Sequence, residues 1–351
     1  MISASQAYTA ELQALLDEGV AERLYSGASA GLSTPAGRTV VSAGTHALDD
    51  ATPVGPDSLF DLASVSKTFT AAVVLRLAEL GRVDLDAPVA RILPIGRGPG
   101  ADDITLRMLL LHVSGLPAES FVWRDPDVPP DERVARVLAS PLESRPNELY
   151  RYSCVGYIAA GAVIERATGA TLQELLGDLV TGPLGLMSVS YGPVDVARAV
   201  ATEEQPWVGR GMLRGEVHDE LNRFLGGKVG NAGLFATAED ILAFAESFLN
   251  ERLFQGGRLM QMVTDGLSES HGSSFGQGLG PRIRDRESFG ELDGYGHIGF
   301  TGTLWVVDPR RQVAGVLLTN SVHPHRDHAD FSGFRRRFGD WVATTFPSLG
   351  V

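Results

Sequence analysis

Residues 64–81 read SVSKTFTAAVVLRLAELG, a hydroxyl and an amine three residues apart at the head of an apolar run. Apolar side chains at 65, 69, 72, 73 and 77 follow helical spacing, and Gly81 stands at the stop position. The pattern predicts a helix from Ser64 to Leu80, with Ser64 and Lys67 on one side of it. A helix N-terminus adds positive potential where an alkoxide or oxyanion would develop. Only two of the 30 basic residues are lysines, Lys67 and Lys228. Arginine keeps its proton in a protein whereas a buried lysine can lose it, so a lysine in this background marks a site for a titratable amine. Shielded from water, Lys67 would discharge and help activate Ser64 as a nucleophile. The plainer reading is that two lysines survived by chance.

Two more groups carry chemistry. Tyr152-Ser153-Cys154 follows Arg145–Arg151, and a phenol near a lysine ammonium can ionise and act as a general base. Alone, such a tyrosine reads equally well as an aromatic packed under a loop. His297-Ile298-Gly299-Phe300 lies immediately before a pair of β-rich runs. Gly299 would let a substrate backbone approach the strand edge, and His297 would supply a donor or charge at the cleft wall.

The layout outside these motifs predicts an α+β fold. An N-terminal helix leads into Ala28–Ser33 and Thr39–Ala43, a hairpin around Pro35-Ala36-Gly37. Helical patterns cover 105–112, 133–139, 155–167, 171–180 and 238–250, with Pro-, Gly- and Asp-rich loops at 88–103 and 124–132. Gly302–Val307 and Gln312–Thr319 form a second hairpin, and Phe331, Phe334, Phe338, Trp341 and Val342 stripe a closing helix. Strands at both ends and a helical middle predict an antiparallel sheet flanked by helices, residues 1–75 with 205–351. A mostly helical inserted domain would span 76–204, with a cleft between them.

Ser64-x-x-Lys67, Tyr152-Ser153-x and His297-x-Gly299, in this order and spacing, resemble the three motifs of class C β-lactamases. Relatives of that group include penicillin-binding DD-peptidases, D-aminopeptidases and serine esterases of one fold. Further segments are similar: Ile104–Pro117, Gly182–Leu186, Gly215–Asp219, Ala232–Thr237, Gly296–Thr303 and Leu318–Asn320. The resemblance covers roughly residues 20–345 and implies an acyl-enzyme hydrolase without a cofactor. It makes Ser64 the nucleophile, with Lys67 and Tyr152 sharing its proton and Tyr152 later activating water. The oxyanion hole would be the backbone N–H groups of Ser64 and Phe300, and His297 would orient Tyr152 or a substrate carboxylate. Members acting on amides or β-lactams usually carry Asn where this chain has Cys154, a weak hydrogen-bonding group. Asn231 stands where relatives often have His, with no mechanistic consequence attached.

The substrate implied is a small ester, amide or lactam. Cys154 favours an esterase on small acyl esters over a β-lactamase or a D-amino-acid peptidase or carboxypeptidase. A net charge of −13 disfavours nucleic acid, and one cysteine allows neither an internal disulfide nor a thiolate zinc cage. The first 20 residues lack a basic n-region and an apolar core, and no apolar run is long enough for a membrane span, which predicts a cytoplasmic protein. His323-x-His325-x-Asp327-His328 matches a metallohydrolase signature, but no histidine follows to complete it, so loop histidines are expected and no metal. His218-Asp219 reads as an orienting pair or, more simply, a surface turn. Loops 118–145 and 266–295 are expected to shape the pocket. A silent scaffold is the remaining class, against which Ser64, Lys67 and Tyr152 stand together.

Overall fold

The computed structural model describes residues 4–254, 257–327 and 330–348. The two ends of the chain meet in its centre. Gly27–Thr34 pairs on one side with Gly37–Ala47 and on the other with Val313–Thr319, setting Ala28 opposite Thr319. The full sheet has eight antiparallel strands, in the order Asp50–Pro53, Gly37–Ala47, Gly27–Thr34, Val313–Thr319, Leu304–Asp308, Tyr295–Ile298, Arg282–Ile283 and Gly276–Gln277. Both expected hairpins are present. The last three strands are too short, or too rich in glycine, to show a period of two.

The central strands are covered on both faces, so their apolar residues run on rather than alternate with polar ones. Val313 and Leu317 face a cluster with Leu12, Leu16, Phe334 and Phe338 from the terminal helices Ala4–Ala21 and Ser332–Thr345. Ala314, Val316 and Leu318 face the opposite cluster, built on Ser66–Glu79, Cys154–Thr168 and Ala238–Glu246. Twelve of the fourteen residues of Ser66–Glu79 are buried, so it is a core helix rather than an amphipathic one. Its end is marked by Gly81 at φ +66°.

The middle of the chain is mostly helical, through Leu106–Leu110, Pro130–Leu138, Cys154–Thr168 and Leu172–Leu176. Ser153 caps the longest of these by accepting from the Gly156 N–H at 2.9 Å. Smaller strands interrupt the helical run: Ser190–Tyr191 joins Leu234–Ala236 and Phe60–Asp61, and Ala201–Gln205 pairs with Arg210–Arg214. We propose that 1–75 with 205–351 and 76–204 are two parts sharing one core. Ser66–Glu79 runs through the first boundary and the Ala201–Gln205 pairing spans the second.

Candidate active site

Ser64 lies in a tight turn, Ala63–Val65, directly ahead of the Ser66–Glu79 helix, so the α-helix starts two residues later than its sequence pattern indicates. Ala63 adopts φ +45°, a left-handed conformation that costs a non-glycine residue about 1–3 kcal/mol. Three side chains hold it there. Asp61 Oδ1 accepts from the Ala63 N–H at 2.8 Å, Thr301 Oγ1 donates to the Asp61 carbonyl at 2.7 Å, and Thr303 Oγ1 donates to the Leu62 carbonyl at 2.9 Å. The turn carrying Ser64 is thereby fastened to the segment that follows His297.

Lys67 is fully buried, whereas Lys228 is exposed. Its Nζ donates to Ser64 Oγ at 3.0 Å, the Asn231 carbonyl at 2.9 Å and Cys154 Sγ at 3.4 Å. These acceptors, with a further side-chain hydrogen bond to Tyr152, suit an ammonium, which has three hydrogens and no lone pair. Burial works against that charge, but the facing Cys154 and Tyr152 outweigh it, and the Lys67 titration moves up. Burial also pushes the Cys154 thiol up. Shielding from water therefore does not discharge Lys67.

Tyr152 is half-buried, its ring centroid 5.0 Å from Lys67 Nζ, 4.5 Å from the His112 ring and 6.1 Å from the His297 ring. His297 is fully buried, 2.7 Å from its neighbour Ile298's carbonyl through Nδ1, and burial with nearby Arg282 and Lys67 holds its titration well below the usual range. Of the donor or charge expected of His297, these surroundings disfavour the charge. Gly299 also differs from expectation in what approaches it. A Cβ there would sit 2.0 Å from Thr303 Oγ1 and 2.4 Å from the Leu62 carbonyl, so the missing side chain admits the protein's own backbone.

Ser64, Tyr152, Phe300 and Arg326 are shared by two adjoining cavities. One, of about 340 Å³, adds Arg282 and Arg335; the other, of about 400 Å³, adds Glu119, Trp123, Cys154 and His218. Segments 118–145 and 266–295 thus supply wall residues, Glu119 and Trp123 from the first and Arg282 from the second. Phe300 is 54% exposed at the junction. Behind the second cavity, His218 Nε2 lies 2.8 Å from Glu203 Oε2, and Arg326 grips both oxygens of Glu203 at 2.8 and 2.6 Å. His218 is buried and its N–H donates to Asp61 Oδ2 at 2.8 Å, so it is no surface turn. Asp219 caps Glu220–Phe224, accepting from the Asn222 N–H at 2.6 Å.

The sequence profile of the beta-lactamase family matches residues 12–336. This chain belongs to the beta-lactamase family. Esterase EstB of Burkholderia gladioli is 30% identical over 361 residues, covering 90% of this chain and 91% of the esterase. A putative D-alanyl-D-alanine carboxypeptidase of Escherichia coli K12 is also 30% identical, covering 78% of this chain and 71% of the other. The solved structure of EstCE1, a hydrolase with promiscuous acyltransferase activity, superposes with a TM-score of 0.79 at 19% identity. It covers 96% of this chain and 99% of that one, a likeness of fold.

This family member is a serine hydrolase, and its structure gives Asn231 a purpose that the sequence pattern lacks. The Asn231 backbone carbonyl holds Lys67, while its Oδ1 accepts from Asn222 Nδ2 at 2.9 Å and fixes the loop. His323 Nε2 accepts from the Leu48 N–H at 3.0 Å, which occupies the lone pair a metal would need; His328 lies outside the described residues. Among the described residues no group of three His, Cys, Asp or Glu is placed to hold a metal ion, and no helix is long and apolar enough to cross a membrane. His112, Glu203, Arg282, Arg326 and Arg335 escape motif reading because their significance is purely spatial. His112 alone carried a local signal, in the segment Ile104–Pro117.

Proposed function

We propose an esterase-type serine hydrolase acting on small acyl esters through a Ser64 acyl-enzyme. With Lys67 donating to Ser64 Oγ, Tyr152 is the group placed to take the Ser64 proton and pass it to the departing alkoxide. The backbone N–H groups of Ser64 and Phe300 would receive the developing oxyanion. The preference for esters is carried by Cys154, whose thiol sits 3.4 Å from Lys67 in the cavity wall. A thiol cannot satisfy both the N–H and the carbonyl of an amide side chain, and an unpaired polar group in a closed site costs about 1–3 kcal/mol. An ester places no such demand, and its leaving group departs without amine protonation. The near full-length similarity to an esterase supports the same reading.

The test compares kcat/KM for p-nitrophenyl butyrate and a chromogenic cephalosporin, in wild type and Cys154→Asn. The ester should lead in wild type and the cephalosporin should gain in the variant. Cephalosporin turnover at or above the ester rate in wild type overturns the proposal. One observation favours a second reading, hydrolysis of substrates bearing a free carboxylate. Arg335 is half-buried in the wall of the 340 Å³ cavity, and among the described residues no carboxylate lies within ion-pair distance of it. Burial and the neighbouring Arg282 lower its titration to about 10, the mark of a guanidinium short of a counter-charge.

A further inference from the structure

Glu203 is an anion inside the protein. Its burial opposes the charge, but the hydrogen bonds from His218 and Arg326 prevail and hold its carboxyl down to about 2. An anion at 2.8 Å requires a proton on His218 Nε2, so a lone pair on the ring can only be on Nδ1. Among the described residues Nδ1 has no hydrogen-bond partner, and His218 lines the cavity that also holds Ser64, Tyr152 and Cys154. The ring is braced by Phe300, 5.5 Å away, and its backbone by Asp61, the residue that also fixes the Ser64 turn. A histidine with a charged carboxylate behind it and a free lone pair in front is the arrangement of a general base.

We propose that His218, in place of the Tyr152 that the family resemblance implies, is the base for the second half-reaction, activating the water that hydrolyses the Ser64 acyl-enzyme. This rests on the acyl-enzyme reading above and adds a residue to it. Water gives one proton to His218 Nδ1 as its oxygen bonds to the acyl carbon, and the carbonyl electrons move onto oxygen. When the tetrahedral species collapses, the bond to Ser64 Oγ breaks and the carboxylic acid leaves. Ser64 Oγ recovers a proton from the Lys67–Tyr152 pair, and the His218 imidazolium returns its own to that pair through solvent. Glu203 and Arg326 are positioning residues for the required tautomer.

Glutamine at 218 can still donate to Glu203 but has no basic nitrogen, so His218→Gln separates the structural role from the chemical one. With p-nitrophenyl butyrate, the variant should release about one equivalent of nitrophenol per enzyme at close to the wild-type rate. Steady-state turnover should then fall about 100-fold or more, as the acyl-enzyme accumulates and becomes visible by mass spectrometry. Wild-type turnover in the folded variant, or a burst slowed as much as the steady state, overturns the assignment. Should the variant not fold, the tautomer is read in wild type labelled with nitrogen-15 histidine: His218 protonated on Nε2 supports the assignment, and on Nδ1 overturns it. Ser64→Ala is the control. Persistent turnover there means that the acyl-enzyme reading has failed; an essential Ser64 with normal His218→Gln turnover means that only the His218 step has.

Discussion

Lys67 directs its hydrogens to Ser64, Asn231, Cys154 and Tyr152, so its substitution tests geometry rather than charge alone. Arginine keeps the charge but replaces three divergent hydrogens with a longer planar fork, in a position with no free space. We expect Lys67→Arg and Ser64→Ala each to lower ester hydrolysis by at least about 1,000-fold, since parts of an activated nucleophile fail as a unit. A fluorophosphonate should label wild type and spare Ser64→Ala; near-normal turnover in Lys67→Arg would show that this grip is dispensable. Ser64, Lys67 and Tyr152 were legible in the sequence because each belongs to a short motif of fixed spacing. One Lys67 acceptor was not, because it is the backbone carbonyl of Asn231 and any residue type could supply it. Likewise the direction of the Lys67 titration could not be read from its burial, because the facing Cys154 and Tyr152 oppose burial.

Among the elements, the junction between the Ser64 turn and the segment after Tyr295–Ile298 sets the shape of the cleft. Thr301 and Thr303 reach back to the Asp61 and Leu62 carbonyls, and Gly299 packs against Leu62 without a side chain between. Adding one methyl group at Gly299 forces these backbones apart. The expected cost for Gly299→Ala is about 1–3 kcal/mol, as for other overpacked sites, with kcat falling more than KM rises because Ser64 moves relative to Phe300. Unchanged melting temperature and unchanged kcat would show that the junction yields freely. The long elements were read from the sequence in their places but not to their ends: the strand expected at Thr39–Ala43 runs from Gly37 to Ala47, and the helix expected over 238–250 stops at Glu246. Arg282–Ile283 and Gly276–Gln277 offer two residues each and no period, although Arg282 reaches the Tyr152 ring at 5.5 Å.

Across the whole molecule, the arrangement stores acid sensitivity in the same residues that shape the site. His112 and His297 are buried and held well below the usual value of 6.5, chiefly by burial, with Lys67 and Arg282 adding repulsion. Both are neutral in the fold, while in the unfolded chain each binds a proton as pH falls through about 6.5. The unfolded state then holds more protons, so stability is fully present above that pH and declines below it. Glu203 adds a separate loss at lower pH: its contribution is present above the ordinary carboxyl value and disappears as pH falls toward about 2. His112 isolates the first effect. It adopts φ +60° and accepts the Ser153 N–H on Nδ1 at 2.9 Å, facing Lys67, Arg282, His297 and the rings of Tyr150, Tyr152 and Tyr157. Asparagine tolerates that φ and offers an acceptor, but does not titrate. Between pH 7.5 and 5, urea unfolding should therefore show His112→Asn losing less stability than wild type, by up to about 2 kcal/mol for a histidine that stays neutral in the fold. An equal loss in both proteins would mean that His112 takes up its proton in the folded state, against the direction its surroundings impose.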